Sequence, residues 1–384
     1  MTRTRSLSFS VRHGVTPKKN QFTFGVIADV QWADAPDGYN YSRTVKRCYR
    51  GALATLASAV DWWQNLPEAP LYIAQLGDLI DGVNSQIGQT DSALAGALDH
   101  LARAPCPSVN IVGNHELYNF NREDLSKASW LRHGDAEFYS FFPAQGWRTI
   151  VLDPYQIGLI GHAADDPRRM EAVEILAREN PNVSPDGEAG DWLAGMADAG
   201  HRRRFVPYNG GFGGEQLNWL RSELAAAAEA AERVLIMSHV IIHPEACGGS
   251  TMAWDYEEAL DIISSEEAAG CVAAVLCGHD HSGGYHHDDE GVHHCTFVSP
   301  LNKGEEGFAF GLMHVEPDYI EIRGPKIDDL LPYKNGRPIS NTCKGDSISG
   351  ICEFIRLPIK ANMPRTIKNL ERVDAIVATE VLLN

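Results

Sequence analysis

Tyr72-Ile73-Ala74-Gln75-Leu76 is a short apolar run that reads as a buried β-strand, and Gly77-Asp78 closes it. A carboxylate delivered just past a glycine at the C-terminal end of a core strand points into the crevice where α/β sheets bind ligands. The same grammar recurs at four other places. The run 22–28 ends in Asp29-Val30-Gln31, Val109-Asn110-Ile111-Val112 ends in Gly113-Asn114-His115-Glu116, Arg233-Val234-Leu235-Ile236-Met237 ends in Ser238-His239, and the run 271–277 ends in Gly278-His279-Asp280-His281. A helix or loop crossover fits between each pair, so a chain built this way is constrained to an α/β sheet whose strand ends converge. Taken singly, an Asp after a strand caps a turn and Asn-His is an ordinary turn dipeptide. The ordered set of oxygen and imidazole donors is what points to metal ions, with Asp78 as the natural bridge between two of them and His115 placed as a general acid.

Composition narrows the ligand. The 384 residues carry 33 basic and 51 acidic side chains, a formal charge of −18, which excludes a binder of nucleic-acid backbone. An anionic ligand would need metal ions to offset that repulsion. The eight cysteines, at 48, 106, 247, 271, 277, 295, 343 and 352, include no C-x-x-C pair and read as reduced thiols of a cytoplasmic protein. The longest apolar stretch, near Val272, is too short to span a bilayer, so no membrane partner is expected. Residues 1–21 are rich in Arg, Ser and Thr; they fit a loose basic arm better than an organellar transit peptide.

Between the motifs, Ser42 reads as the N-cap of a helix running to Gln64, with Val45, Leu53, Leu56 and Val60 on its buried side. A second helix is expected over 91–103 and two strands within 137–153. Residues 165–207 are mixed and read as an insertion covering the crevice. The Gly-rich loop 208–214 feeds a helix from Glu215 to Ala231 and reads equally as an anion cradle or a connector. His243 reads as structural or as a support behind the metal ligands, and His286, His287, His293 and His294 as solvated or hairpin residues. A helix over 254–264 and closing strands over 308–315 and 319–323 follow. The domain is expected to span 22–325, with a C-terminal extension over 326–384.

The spelling D-x-Q, G-D-x-x-D, G-N-H-E, S-H, G-H-x-H resembles the calcineurin-like metallophosphoesterase superfamily. That resemblance implies an α/β, four-layer αββα sandwich, with two mixed sheets flanked by helices and two metal ions at the strand ends. It implies that one ion takes Asp29, Gln31, Asp78 and His281, and the other Asp78, Asn114, His239 and His279. A metal-bridging hydroxide would attack phosphorus in line, and His115 would protonate the leaving oxygen. Gln31 departs from the superfamily's usual His; its neutral oxygen favours a hard ion such as manganese, with magnesium, iron or zinc as alternatives, and leaves that position the more labile. Longer stretches (Phe24 to Gln31, Asp37-Gly38-Tyr39-Asn40-Tyr41, Asn209-Gly210-Gly211-Phe212, Gly283-Gly284-Tyr285) resemble the manganese-dependent ADP-ribose/CDP-alcohol diphosphatases. This narrower likeness implies cleavage of nucleoside diphosphate-linked compounds such as ADP-ribose or CDP-choline. Tyr41 would stack on the base and Asn209, Gly210, Gly211 and Phe212 would line the diphosphate. The competing readings are a phosphomonoesterase or protein phosphatase of the same fold, and a scaffold with a dead site.

Overall fold

The apolar runs become the parallel strands of two sheets. The computed structural model describes residues 20–40, 42–131, 136–187, 190–332 and 353–360. In the first six-stranded sheet, Phe22–Ile27 pairs in parallel with Ile73–Gln75, which pairs in parallel with Ser108–Asn110. Gly311–Val315, Tyr319–Gly324 and Glu353–Pro358 extend it antiparallel on the far side of Phe22–Ile27. In the second six-stranded sheet, Trp147–Val151, Arg233–Met237, Val272–Cys277 and His293–Thr296 run parallel; Tyr139–Ala144 and Gly284–His287 close the edges antiparallel.

The side-chain period of two builds the layers. Phe24, Val26, Leu235 and Met237 face the apolar layer between the sheets, where Phe24 stacks on Tyr72 at 4.9 Å. Their neighbours face outward. Ile27 and Ile73 pack under Leu56, Val60 and Trp63 of helix Tyr49–Gln64 and Ala97 of helix Thr90–Ala102. Val234 and Ile236 pack under Leu220 and Leu224 of helix Gly213–Glu229 and Ile263 of helix Tyr256–Ile263. Strands covered on both faces need apolar residues at every position, which is why they read as unbroken runs. The result is the expected four-layer sandwich.

Two local expectations are corrected and two are refined. The first long helix starts at Tyr49, not Ser42. Gly38–Tyr39 and Lys46–Arg47 form a small ribbon instead, because Asn40 Oδ1 accepts the N–H groups of Thr44 and Val45 and closes a turn there. Val45 is accordingly 36% exposed, not on a buried stripe. The insertion holds a helix, Pro167–Glu179, begun by Asp166 accepting from Arg168 N and by proline at its start. His286, His287, His293 and His294 stand on the expected hairpin and pair across it, but His293 and His294 are buried and not solvated, His293 donating to the Pro358 carbonyl and His294 to Asp288. Lastly, Glu353–Pro358 pairs with Tyr319–Gly324, so the first sheet runs past residue 325. The basic arm, apart from residues 20–21, and the tail at 333–352 and 361–384 lie outside the described residues, as does Tyr41. Among the described residues, no helix is long and apolar enough to cross a membrane.

Candidate metal centre

Asp29, Asp78, Asn114, His239 and His279 all follow the C-terminal ends of parallel strands, three from the first sheet and two from the second. Asp29, Gln31, Asp78 and His279 sit in the left-handed region, with φ of 50°, 46°, 59° and 68°. Such backbone costs on the order of 1–3 kcal/mol per residue and persists only where neighbours hold it. The holding bonds are present. The buried Glu116 carboxylate accepts from Asp78 N at 2.8 Å, Leu79 N at 2.7 Å and Gly113 N at 2.8 Å. The Asp29 carboxylate accepts from His279 N, stitching one sheet's loop to the other's. Gly77, at φ 93°, is needed twice over, since a Cβ there would also strike the His239 ring. A Cβ on Gly278 would strike the Asp29 carboxylate.

Four donors converge around His239. Its Nε2 lies 3.3 Å from Asp78 Oδ2, 3.3 Å from Asn114 Oδ1 and 3.2 Å from His279 Nδ1. Donors at ~2.1 Å from one ion in octahedral geometry stand about 3.0 Å apart, so a single divalent ion fits among them. The other nitrogen of each imidazole is already committed. His239 Nδ1 donates to the Leu76 carbonyl at 2.8 Å. His279 Nε2 donates to Asn209 Oδ1 at 2.7 Å, and the Asn209 amide is held that way round because its Nδ2 donates to the Arg204 and Ser250 carbonyls. Both rings therefore turn a lone pair toward the shared space, the arrangement that metal-binding histidines require.

A second group of donors shares Asp78. His281 Nε2 lies 3.6 Å from Asp29 Oδ1 and 2.8 Å from Gln31 Nε2, which donates to Asp78 Oδ2 at 2.9 Å. Gln31 Oε1 is buried with no hydrogen-bond partner. Turning the amide over would set that oxygen against the Asp78 carboxylate, an arrangement only an intervening cation makes favourable. The orphaned oxygen and the crowd of buried donors thus fit a cation at this position too.

Electrostatics point the same way. Burial, with the Asp78 charge, holds the Asp29 carboxyl well above its usual range. Burial would raise Asp78 as well, but the His239 and His115 rings pull it below the usual range. Burial opposes a charge on His239, yet the two carboxylates lift it to about 10. Burial and the Arg47 charge press His281 down to about 3. These carboxylates demand positive charge beside them, and divalent ions supply more of it than one protonated ring.

His115 faces this group from the start of helix Asn114–Asn119. Its Nδ1 accepts from Gly82 N at 2.7 Å, which leaves the proton on Nε2, 3.9 Å from Asp78 Oδ2. Asp81 Oδ2 stands 3.3 Å from Nδ1 and has no hydrogen bond of its own.

The loop expected to line a diphosphate is placed otherwise. Gly210–Gly211 is buried and pairs with Ile157–Gly158, and Phe212 is fully buried in the core behind helix Gly213–Glu229. The N–H groups of Phe212 and Gly213 are taken by the Asp255 carboxylate, so the helix start offers no cradle for an anion. Of Asn209 to Phe212, Asn209 alone reaches the centre, as the orienting partner of His279. Glu116, Asn209 and Asp255 were not singled out for these roles; the E of G-N-H-E was the one available signal.

Comparison with known proteins places the chain in a family. The family described as calcineurin-like phosphoesterase matches residues 22–283. The chain is 36% identical over 336 residues to the manganese-dependent ADP-ribose/CDP-alcohol diphosphatase of Homo sapiens, covering 82% of this chain and 94% of that protein. It is 34% identical over 324 residues to the protein of the same name from Arabidopsis thaliana, covering 84% of this chain and 100% of that one. A dimetal phosphatase from Danio rerio superposes with a TM-score of 0.72 at 30% identity, covering 88% of this chain and 99% of that chain. The converging donors, the two-sheet sandwich and the matched span identify the chain as a member of the calcineurin-like phosphoesterase family.

Proposed function

We propose that the chain hydrolyses the diphosphate of nucleoside diphosphate-linked small molecules, such as ADP-ribose and CDP-alcohols, to a nucleoside monophosphate and a phosphorylated remainder. The observation that carries this reading is the pair of donor groups sharing Asp78 Oδ2 at the floor of a cavity of about 490 Å³. Similarity to the manganese-dependent diphosphatases supplies the substrate class. Asp29, Gln31, Asp78 and His281 would hold one ion, and Asp78, Asn114, His239 and His279 the other; the oxygen-rich first set suits manganese. When bound, such a pair of ions supplies Lewis acidity toward phosphoryl oxygens and an activated water.

The protein's own part is positioning and proton transfer. His115 would give the leaving oxygen its Nε2 proton from the cationic ring, so that a neutral imidazole is left behind. That form needs Nδ1 protonated too and turned from the Gly82 N–H to Asp81 Oδ2, which stands 3.3 Å from Nδ1 with no hydrogen bond of its own. Residues Asp191, Trp192 and Leu193 of the insertion wall the cavity, which supports their role in covering the crevice. The free thiols of Cys48, Cys106, Cys247, Cys271, Cys277 and Cys295 support a reducing compartment such as the cytoplasm.

An assay with added manganese on ADP-ribose, CDP-choline and a phosphopeptide tests the reading. Turnover of the two diphosphates is expected, with the His115→Ala variant slower by about 10²–10⁴-fold while keeping its ions. Turnover of the phosphopeptide alone would end the diphosphatase reading. Loss of the ions in the variant would end the role of His115 as acid.

A further inference from the structure

A fully buried tyrosine, Tyr155, stands behind the second metal position. Its ring centre lies 6.4 Å from that of His239. Its hydroxyl donates to Asn114 Oδ1 at 3.2 Å, with the Tyr208 carbonyl as a longer alternative at 3.4 Å. A carbonyl oxygen has two lone pairs. The contact to Tyr155 engages one and leaves the other for an ion beside His239 Nε2, 3.3 Å away. Phenylalanine would fill the same apolar space among Ile150, Leu152 and Phe212. Burying a hydroxyl there carries a desolvation cost that its hydrogen bond does little more than offset, so packing alone does not call for it.

The ring is held through its own backbone. Tyr155 N donates to Asp153 Oδ1 at 2.9 Å, and the Tyr155 carbonyl accepts from Arg122 Nη2 at 2.5 Å and His162 Nε2 at 3.0 Å. Arg122 is also paired with Asp153 Oδ2 at 2.7 Å, and the Gln216 side chain bonds both the N–H and the carbonyl of Asp153 at 2.8 Å. The glycine-rich run packs on this clamp. A Cβ on Gly210 would meet the Pro154 carbonyl oxygen at 2.5 Å and the Ile157 carbonyl oxygen at 2.8 Å, so glycine is what lets the run lie against the turn that carries Tyr155. Asn209, the next residue, orients His279. Two adjoining segments therefore hold two donors of one ion, Asn114 through Tyr155 and His279 through Asn209. A donor whose supporting group is itself locked is the arrangement that a defined ion geometry needs.

We propose that Tyr155 is a positioning residue for the second metal position: its hydroxyl sets the Asn114 carbonyl oxygen toward the ion and so governs how tightly that ion is held. This rests on the two-ion reading of the centre and not on the identity of the substrate, so metal binding tests it without turnover. Manganese is titrated by calorimetry into the metal-free full chain and into its Tyr155→Phe variant. Of the two dissociation constants, one is expected to rise about 10–100-fold in the variant. The melting temperature is then read with and without manganese. The rise that manganese gives should be smaller in Tyr155→Phe than in the wild type, because a ligand stabilises only as far as it binds. A hydroxyl that merely supports the core would lower both melting temperatures alike and leave that rise intact. Tyr139→Phe, at a buried tyrosine on the edge strand of the second sheet, should leave both constants as they are. Unchanged constants in Tyr155→Phe overturn the proposal, as does an equal rise in Tyr139→Phe. Failure of Tyr155→Phe to fold overturns it too, since the hydroxyl would then belong to the core. A wild-type chain that never takes up a second ion would sink the two-ion reading itself. A Tyr155-dependent affinity without diphosphatase turnover would sink the activity and leave the positioning role standing.

Discussion

At the scale of single residues, the centre depends on groups that never touch an ion. Asn209 fixes which nitrogen of His279 faces inward, through a 2.7 Å bond and an amide pinned at its other end. Asn209→Ala frees that ring, and manganese affinity is expected to fall about 10–100-fold, read by titration of metal content. Gln31 is the weak member of the other position, a neutral donor whose oxygen is left unpartnered. Gln31→Ala should take bound manganese from two ions per chain toward one at limiting metal, measured by elemental analysis; retention of both would remove Gln31 from the ligand set. The donors themselves were readable because each ends an apolar run and carries its own chemistry. Asn209 and Glu116 act through hydrogen bonds to residues 70 and 38 positions away, and local sequence carries no mark of such contacts. Gly210, Gly211 and Phe212 misled for the opposite reason: a Gly-rich run before a helix fits an anion cradle until a distant Asp255 is seen to fill it.

At the scale of elements, periodicity told most where helices are long. The helices at 49–64 and 90–102 and the strands under them follow their apolar patterns. The first helix's start was lost because Asn40 draws the chain into a turn that competes with a cap at Ser42. The strand Glu353–Pro358 was lost because it is an edge strand with partly exposed alternate residues, a weaker signal than a run covered on both faces. The insertion makes a testable element. Asn180 is fully buried and ties the Trp192 and Phe205 carbonyls together. Asn180→Ala leaves those carbonyls short of a donor at a cost of about 1–3 kcal/mol. A lower melting temperature and a raised KM for the diphosphate substrate are expected, with bound manganese unchanged; loss of the ions would mean that the insertion shapes the metal centre and not only the cavity wall.

At the scale of the whole molecule, the second sheet carries the buried rings of His293 and His294, with the half-buried His243 of the adjoining loop against them, and these must stay neutral. Burial, with its neighbours' charges, presses His243 down to about 3; burial presses His293 to about 4 and lowers His294 as well. Folded values below the ordinary 6.5 mean that the unfolded chain binds more protons, so their contribution is complete above about pH 6.5 and is lost as pH falls toward 4. In unfolding by urea, the fall in stability between pH 7.5 and pH 5 should be smaller in His294→Gln than in the wild-type protein. An equal fall in both would place the acid sensitivity elsewhere.

Asp29, Asp78 and Asn114 come from one sheet, and His239 and His279 from the other, with the His279 N–H to Asp29 bond across the gap. Neither half of the chain, folded by itself, could assemble either donor group. Ion uptake during refolding should consequently lag behind the formation of each sheet and mark the moment the two dock. A manganese-sensitive probe would then act as a clock for that late event, and chelation would loosen the seam between the sheets before it loosened the sheets themselves.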